Sequence, residues 1–321
     1  MIPETQIAGF FQALADPTRL RVLALLRVME LSVGELAQVL GQSQPRVSRH
    51  LKILADAGLL ERRKEGSWVF LTLAPEERTE PLFALLDRVA DAQIKGAFAA
   101  DSARLDGVRA ERIEAASRYF TTHAHVWDQI RSLHVAESEV ERAIAQALGD
   151  RPLGRLVDIG TGTGRMIELF GPRADQAIGI DRSSEMLRLA RAKLEAAGIH
   201  SSLRQGDMYA LPLAEESADC VILHQVLHYA HSPAAAVAEA GRVLARGGTV
   251  LVVDFAAHDR EDLRERDAHI RLGFEDETMA DWFGSAGLKI DHVEHLKGGE
   301  LTVTLWRAVK APDARTRRKA A

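Results

Sequence analysis

Between Leu156 and Gly164 the chain reads Leu-Val-Asp-Ile-Gly-Thr-Gly-Thr-Gly, and this run restricts the fold of everything after it. A short apolar stretch with an acid near its end breaks into alternating glycines. A helical pattern, Arg165 to Phe170, begins at once. Strand, glycine loop and helix in that order bring backbone close to a ligand at a helix N-terminus, where unpaired N–H groups and the helix dipole favour negative charge. Glycine is required because a Cβ would block the approach or forbid the dihedrals. From Arg155 onward strands and helices alternate, with strands expected at 155–160, 177–181, 201–205, 219–224 and 249–254 and helices at 164–170 and 183–197. The alternation predicts an α/β fold, a mostly parallel doubly wound sheet with ligands at the carboxyl ends of its strands. Two late strand-like runs, 288–295 and 300–307, flank Gly298-Gly299 and predict a closing antiparallel hairpin.

The loop does not suit a phosphate. A dinucleotide fingerprint, G-x-G-x-x-G, places glycine at its sixth position. Counted from Gly160, that position is Arg165. The acid Asp158 ahead of the glycines is foreign to that fingerprint, and the Gly-Lys-Ser/Thr ending of a P-loop is missing. A ligand with an adenosyl ribose but no phosphate fits better. Asp181, at the end of the second strand, is placed for a ribose diol, since one carboxylate can accept from two hydroxyls.

The first hundred residues read differently. Ile7, Phe10, Phe11 and Leu14 form an apolar stripe at helical spacing, expected to be buried. Asp16-Pro17 starts a new helix with Asp16 as N-cap and Pro17 in the first turn; its apolar face is Leu20, Leu23, Ala24 and Leu26. Ser32-Val33-Gly34-Glu35 is a capping-box pattern, and the helix it opens stops at Gly41. A second short helix follows across a polar turn and runs to a stop at Gly58; strand-like pieces from Leu59 to Leu73 then surround a Glu65-Gly66 turn. This order spells a winged helix-turn-helix. Val47, Leu51 and Leu54 point to its core, leaving Ser43, Gln44, Arg46, Ser48, Arg49 and Lys52 as candidate DNA contacts. Gln suits adenine and Arg suits guanine in a major groove. Arg62, Arg63 and Lys64 at the start of the wing suit phosphates. Charge alone favours a merely solvated helix face; the architecture is what points to DNA.

This segment resembles the ArsR family of winged-helix repressors in Ala15 to Arg21, Glu35-Leu36-Ala37, Ser43-Gln44 through Ser48 to Lys52, and Ala57-Gly58-Leu59. The resemblance implies double-stranded operator DNA as partner and a homodimer joined by terminal helices. Many members sense metal or arsenite through a cysteine pair before the recognition motif, but the corresponding Leu31 to Leu36 carries no thiol. After Glu76 a stripe of Leu82, Leu85, Leu86, Val89 and Ala92 is read as the dimer helix, and 96–118 as an exposed helix leading onward. His123 and His125, in the aromatic stretch that follows, read as surface or core residues.

Residues 119–308 resemble the class I S-adenosylmethionine-dependent methyltransferases, with the small-molecule type that includes quinone-biosynthesis enzymes as the nearest subgroup. Val157 to Gly164 looks like their first motif and Gly179-Ile180-Asp181 like the ribose-binding acid. Gly206-Asp207-Met208 with Leu211-Pro212 looks like the segment flanking the adenine. Asp219 to His224, with Leu227-His228 and Pro233, resembles the fourth-strand motif, and Leu244 to Gly248 the turn into the fifth strand. The resemblance implies S-adenosyl-L-methionine held by Asp158, Gly160, Gly162, Gly164, Asp181, Arg182, Asp207, Met208, His224 and Tyr119, with Tyr119 and Trp127 opening a lid over it.

Methyl transfer asks the protein for proximity and orientation, plus a base where the acceptor must lose a proton. His224 and His228 are the base candidates; a packed or cofactor-contacting role fits them equally. With His231 they complete no metal set, because no carboxylate or thiol joins them, and no metal is expected. A net charge of −5 excludes an overall nucleic-acid polycation, though not a local basic face. The single cysteine, Cys220, excludes an intrachain disulfide and fits a reducing compartment. With no apolar run of transmembrane length and no basic n-region beside Glu4, a cytoplasmic protein without a membrane partner is expected. The expected division is a winged-helix and dimerisation domain at 1–104, a methyltransferase domain at 105–310 and a disordered basic tail at 311–321. Two functions follow. One is a DNA-binding regulator whose second domain methylates a small molecule. The alternative is a repressor whose catalytically retired second domain senses S-adenosylmethionine or S-adenosylhomocysteine to control methionine-cycle genes.

Overall fold

The computed structural model describes residues 4–29, 31–65, 68–74, 76–89, 96–108, 110, 136–297 and 300–312. The chain divides into two compact units, Met1–Ala115 and Ala116–Ala321.

The first unit runs α1 (Glu4–Leu14), α2 (Pro17–Val28), β1 (Leu31–Ser32), α3 (Val33–Leu40), α4 (Gln44–Asp56), β2 (Leu60–Glu65), β3 (Trp68–Leu73), α5 (Glu76–Val89) and α6 (96–108). Local chemistry fixes its helix ends. Asp16 caps α2 by accepting from the Arg19 amide at 3.0 Å. Ser32 and Glu35 complete the reciprocal capping box of α3, worth about 1 kcal/mol by analogy with other N-caps. Gly41 ends α3 at φ 64°, a left-handed conformation that glycine adopts without Cβ strain. The strands form an antiparallel sheet in the order β1-β3-β2, and Glu65 pairs with Trp68 so that two residues connect the wing.

Burial in this unit departs from the stripe readings in four places. Phe11 stands 60% exposed, because α1 turns Ala13 inward with Phe10 and Leu14 beside it. On α2, Val22, Leu23, Leu25 and Leu26 are the buried positions, while Leu20 and Ala24 are half-buried. Leu85 of α5 is 50% exposed, since Leu82 and Phe83 take the inward face. The 96–118 stretch is not simply an exposed helix: Leu105 and Val108 of α6 are core residues. Asp101, also buried, receives a bidentate Arg21 at 2.6 Å and Arg104 at 2.8 Å.

The second unit runs α7 (Glu137–Leu148), β4 (Gly154–Ile159), α8 (Arg165–Phe170), β5 (Ala174–Asp181), α9 (Ser184–Ala196), β6 (Ser202–Gln205), β7 (Ala218–His224), α10 (Pro233–Val243), β8 (Leu244–Phe255), α11 (Asp262–Arg266), α12 (Asp276–Ser285), β9 (Leu288–Lys297) and β10 (Thr302–Lys310). Its seven strands lie in the order β6-β5-β4-β7-β8-β10-β9, the first five parallel and the last two an antiparallel hairpin. One apolar cluster joins Val157, Val221 and Val252 to α10, α12 and Trp306; another joins Leu156, Ile222 and Leu251 to Ile144 of α7 and Ile167 of α8. The sheet is therefore covered on both faces, as parallel strands require. The fifth parallel strand starts at Leu244 rather than Thr249. Its pairing with β7 slips between Ala218 and Cys220, and Gly247 at φ 79° accommodates the irregularity. The chain winds outward from β4 through β5 to β6, then returns to lay β7 on the other side of β4. The crevice at the carboxyl ends of β4 and β7 is thus the topological switch point, where open α/β sheets bind ligands.

Candidate functional site

At that switch point the glycine loop folds back over β5. The amides of Gly160 and Thr161 both donate to Ile180 O, at 2.8 and 3.0 Å. Gly160, Gly162 and Gly164 have φ of 71°, 53° and 83°. Gly160 is also a steric necessity, since a Cβ there would lie 2.4 Å from Val226 Cγ2. Gly164 packs its open side against Ala190 and Leu194 of α9. Arg165, where a dinucleotide loop would have its last glycine, instead grips Glu141 of α7 through two hydrogen bonds and Glu168 through a third. Those hydrogen bonds, Glu141's foremost, hold its guanidinium pKa above the usual value.

Asp158 is buried and accepts from the Thr161 hydroxyl at 2.6 Å, so it shapes the loop from below. Asp181 is half-buried. Its two oxygens accept from the amides of Gly162 and Ser183, each at 2.8 Å. Burial pushes its pKa up, and the backbone amides of Ser183, Gly162 and Arg182 oppose that. Two carboxylate oxygens offer about four lone-pair sites, so these amides leave acceptor capacity for a diol. A left-handed glycine loop closed on Val226, with a carboxylate held at its edge by backbone amides, suits an adenosyl ribose and fits the sulfonium cofactor that the sequence implies.

Around this crevice the structure gathers most of the second-unit candidates. Arg182 is exposed, and its carbonyl accepts from Gln205. Asp207 accepts from the Tyr209 amide at 3.1 Å, and Met208 packs beside the core. His224 ends β7 and is buried; His228 follows in a short 3-10 turn, 2% exposed. Tyr119, His123, His125 and Trp127 lie outside the described residues.

Three contributors escaped sequence reading. Gln225 sits at φ 50°, a conformation costly for a residue with a Cβ, and its amide donates to Val253 O at 2.7 Å. Asp254 is fully buried beside His228, the two 2.7 Å apart. Tyr209 accepts from the amides of His231 and Ser232, joining the segment after β6 to the loop after β7. Only Asp254 left a signal in sequence, an acid ending the fifth strand as Asp181 ends the second.

Cys220 takes no part. It is buried in β7, and burial pushes its thiol up to about 12. A raised acid pKa in the folded state contributes stability that is present below the unfolded thiol's pKa and lost as pH rises above it. Iodoacetamide at about pH 8 should therefore leave Cys220 unlabelled in the native protein and label it in urea. Native labelling as rapid as in urea would refute this placement.

In the first unit α4 buries Val47, Leu51 and Leu54 completely. Ser43, Gln44, Arg46, Arg49 and Lys52 are exposed and Ser48 is half-buried. The Ser43 hydroxyl makes no capping bond. His50 turns inward, its Nδ1 3.6 Å from Asp16. Arg62 is exposed on β2; Arg63 and Lys64 follow it opposite Phe70 and Val69, their side chains outside the described residues.

Comparison with known proteins matches residues 16–62 to the bacterial regulatory protein, arsR family, and residues 157–252 to a methyltransferase domain. The chain is 50% identical over 66 residues to the arsenical resistance operon repressor of Escherichia coli (strain K12), 20% of this chain and 56% of that one. It is 36% identical over 112 residues to the phosphatidylethanolamine N-methyltransferase of Cereibacter sphaeroides, 34% of this chain and 55% of that one. An uncharacterized HTH-type transcriptional regulator of Methanocaldococcus jannaschii is 37% identical over 83 residues, 26% of this chain and 92% of its own. The chain thus spans about half the length of the first two relatives.

Proposed function

This chain belongs to the ArsR family of bacterial regulatory proteins and carries a methyltransferase domain behind its winged helix, and from that premise we propose that its second unit binds S-adenosylmethionine and transfers the methyl group to a small molecule. The observation that carries the proposal is the switch-point crevice, where Gly160 lets the loop close on Val226 as no residue with a Cβ could, and Asp181 is held at its edge by two amides. In this reading Gly160, Gly162 and Gly164 pass the cofactor's methionine end, Asp181 holds the ribose, and Asp207 and Met208 flank the adenine. Asp158 and Arg182 serve by fixing the loop and the turn after β5.

The same reading assigns Ser43, Gln44, Arg46, Ser48, Arg49 and Lys52 to operator DNA, with Arg63 and Lys64 on its phosphates. The ArsR relationship supports a homodimer joined by terminal helices. The fusion itself supports a second reading, in which the ligand state of the second unit alters operator affinity. Such a switch requires the DNA-bound and free forms to differ in ligand affinity, about 1.4 kcal/mol for each tenfold effect.

Operator mobility shifts with and without S-adenosylmethionine or S-adenosylhomocysteine, run beside transfer of labelled methyl to metabolites of a cell extract, test both readings. Asp181→Ala is expected to weaken cofactor binding by about 2–4 kcal/mol, on the order of 30- to 1,000-fold, with operator binding intact. Arg46→Ala is expected to do the reverse, at about 1–3 kcal/mol of operator affinity. Equal damage to both activities by either change in a folded protein would overturn this division of labour.

A further inference from the structure

Asp254, next to last in β8, has no exposed surface, yet it is a carboxylate with every donor it needs. Its Oδ2 accepts from the amides of Leu227 (2.9 Å) and His228 (3.3 Å), and its Oδ1 from the amide of Phe255 (2.8 Å). His228 Nδ1 lies 2.7 Å from the same Oδ1. Both oxygens of Asp254 already accept backbone N–H groups, so the side chain presents an acceptor to the ring. The Nδ1 of His228 must therefore carry the hydrogen, and in the neutral ring the lone pair falls to Nε2.

The ring is fixed as well as polarised. It packs against Tyr229, His269 and Phe255, with centroids 4.0, 4.3 and 5.0 Å away. No hydrogen bond to Nε2 occurs among the described residues. The segment is pinned to the crevice too: Val226, two residues earlier, is the side chain that any Cβ on Gly160 would strike.

We propose that His228 and Asp254 form a base dyad for the methyl transfer proposed above, on which this inference rests, and that the acceptor is an O–H or N–H compound that loses a proton as it is methylated. S-adenosylmethionine, when bound, supplies an electrophilic methyl on a sulfonium whose bonding pair stays with sulfur. The acceptor's oxygen or nitrogen forms the new bond to that methyl while its proton passes to His228 Nε2. Charge balances: the positive charge lost at sulfur appears on the imidazolium, beside the carboxylate of Asp254. His228 is then the catalytic residue and Asp254 the positioning residue that sets its tautomer and steadies its cation. An acceptor already lacking that proton would have no use for the arrangement.

The test takes the full-length chain, histidine-labelled with nitrogen-15, in complex with S-adenosylhomocysteine. His228, assigned by the signal missing from His228→Gln, is expected as the Nδ1–H tautomer. In Asp254→Asn the signal is expected to move toward Nε2–H, a change that a purely structural carboxylate would not dictate. Labelled methyl transfer to extract metabolites is expected to fall on the order of 100- to 10,000-fold in His228→Gln. S-adenosylhomocysteine affinity should stay within about threefold. His228→Gln leaves the amides of Leu227, His228 and Phe255 paired with Asp254, so it serves even if Asp254→Asn does not fold. An Nε2–H tautomer in the unaltered protein, or undiminished transfer by His228→Gln, overturns the dyad while leaving the methyltransferase reading in place. Absence of transfer by the unaltered protein, with S-adenosylhomocysteine bound, overturns both.

Discussion

Gly160→Ala is expected to remove measurable S-adenosylmethionine binding in a protein whose winged helix still binds DNA. Two costs combine at this residue. A left-handed conformation, here φ 71°, costs a side-chain-bearing residue about 1–2 kcal/mol. The added methyl carbon also meets Val226 at 2.4 Å from Cγ2 and 2.9 Å from Cβ, and forcing such overlap costs about 1–3 kcal/mol. If both fall on the loop that forms the site, affinity drops by roughly 2–5 kcal/mol, on the order of 30-fold to several thousand-fold. Calorimetric titration measures the loss. The double variant Gly160→Ala with Val226→Ala isolates its cause: trimming Val226 removes the Cγ overlap but leaves Cβ, so recovery should be partial. Affinity in Gly160→Ala within threefold of the unaltered protein would remove the steric argument from the site.

Leu51→Ala should have a comparable effect on the other activity, by a different route. Leu51 is fully buried on the inner face of α4, between Val47 and Leu54. Truncating such a leucine costs about 2–5 kcal/mol, a large part of the 5–15 kcal/mol that holds a typical domain. Operator binding should be lost on warming well before S-adenosylhomocysteine binding is. Lys52, one residue on, supplies the contrast. It is exposed, so Lys52→Ala should leave stability within about 0.5 kcal/mol while weakening DNA binding in a salt-dependent way. Thermal melts followed by circular dichroism separate the two variants. Equal melting of Leu51→Ala and Lys52→Ala would mean that α4 is not packed as described.

What the sequence disclosed follows from the range over which each signal acts. Caps and turns are local, so Asp16, the Ser32–Glu35 box and Gly41 were legible from three or four residues each. Strand alternation with one acid at a strand end was enough to place Asp181 beside the loop. Helix faces were harder, because periodicity names a stripe without saying which edge meets a partner. Phe11 and Leu85 turned outward for that reason, and Leu105 turned inward. Helix α7 carried Val140, Ala143, Ile144 and Ala147 at the spacing of one face, a signal present but not read. The pairing of His228 with Asp254 had no local trace at all. It depends on two strands, β7 and β8, ending side by side, which only the sheet order specifies.

If the second unit senses its ligand, as the second reading proposed above has it, the amides of Gly162 and Ser183 that pin Asp181 decide what a cell would learn through this protein. A carboxylate set in place by folding grips a ribose whether or not the attached sulfur still bears its methyl. Fresh and spent donor would then compete for one grip, and whatever β4 and β5 contribute would report their combined abundance. Proportion is registered only by a contact that feels the sulfur's charge, across the crevice where β7 and β8 end. On that reading the grip alone would make the protein a census of the adenosyl pool. A contact at the sulfur would make it a gauge of how far that pool has been spent.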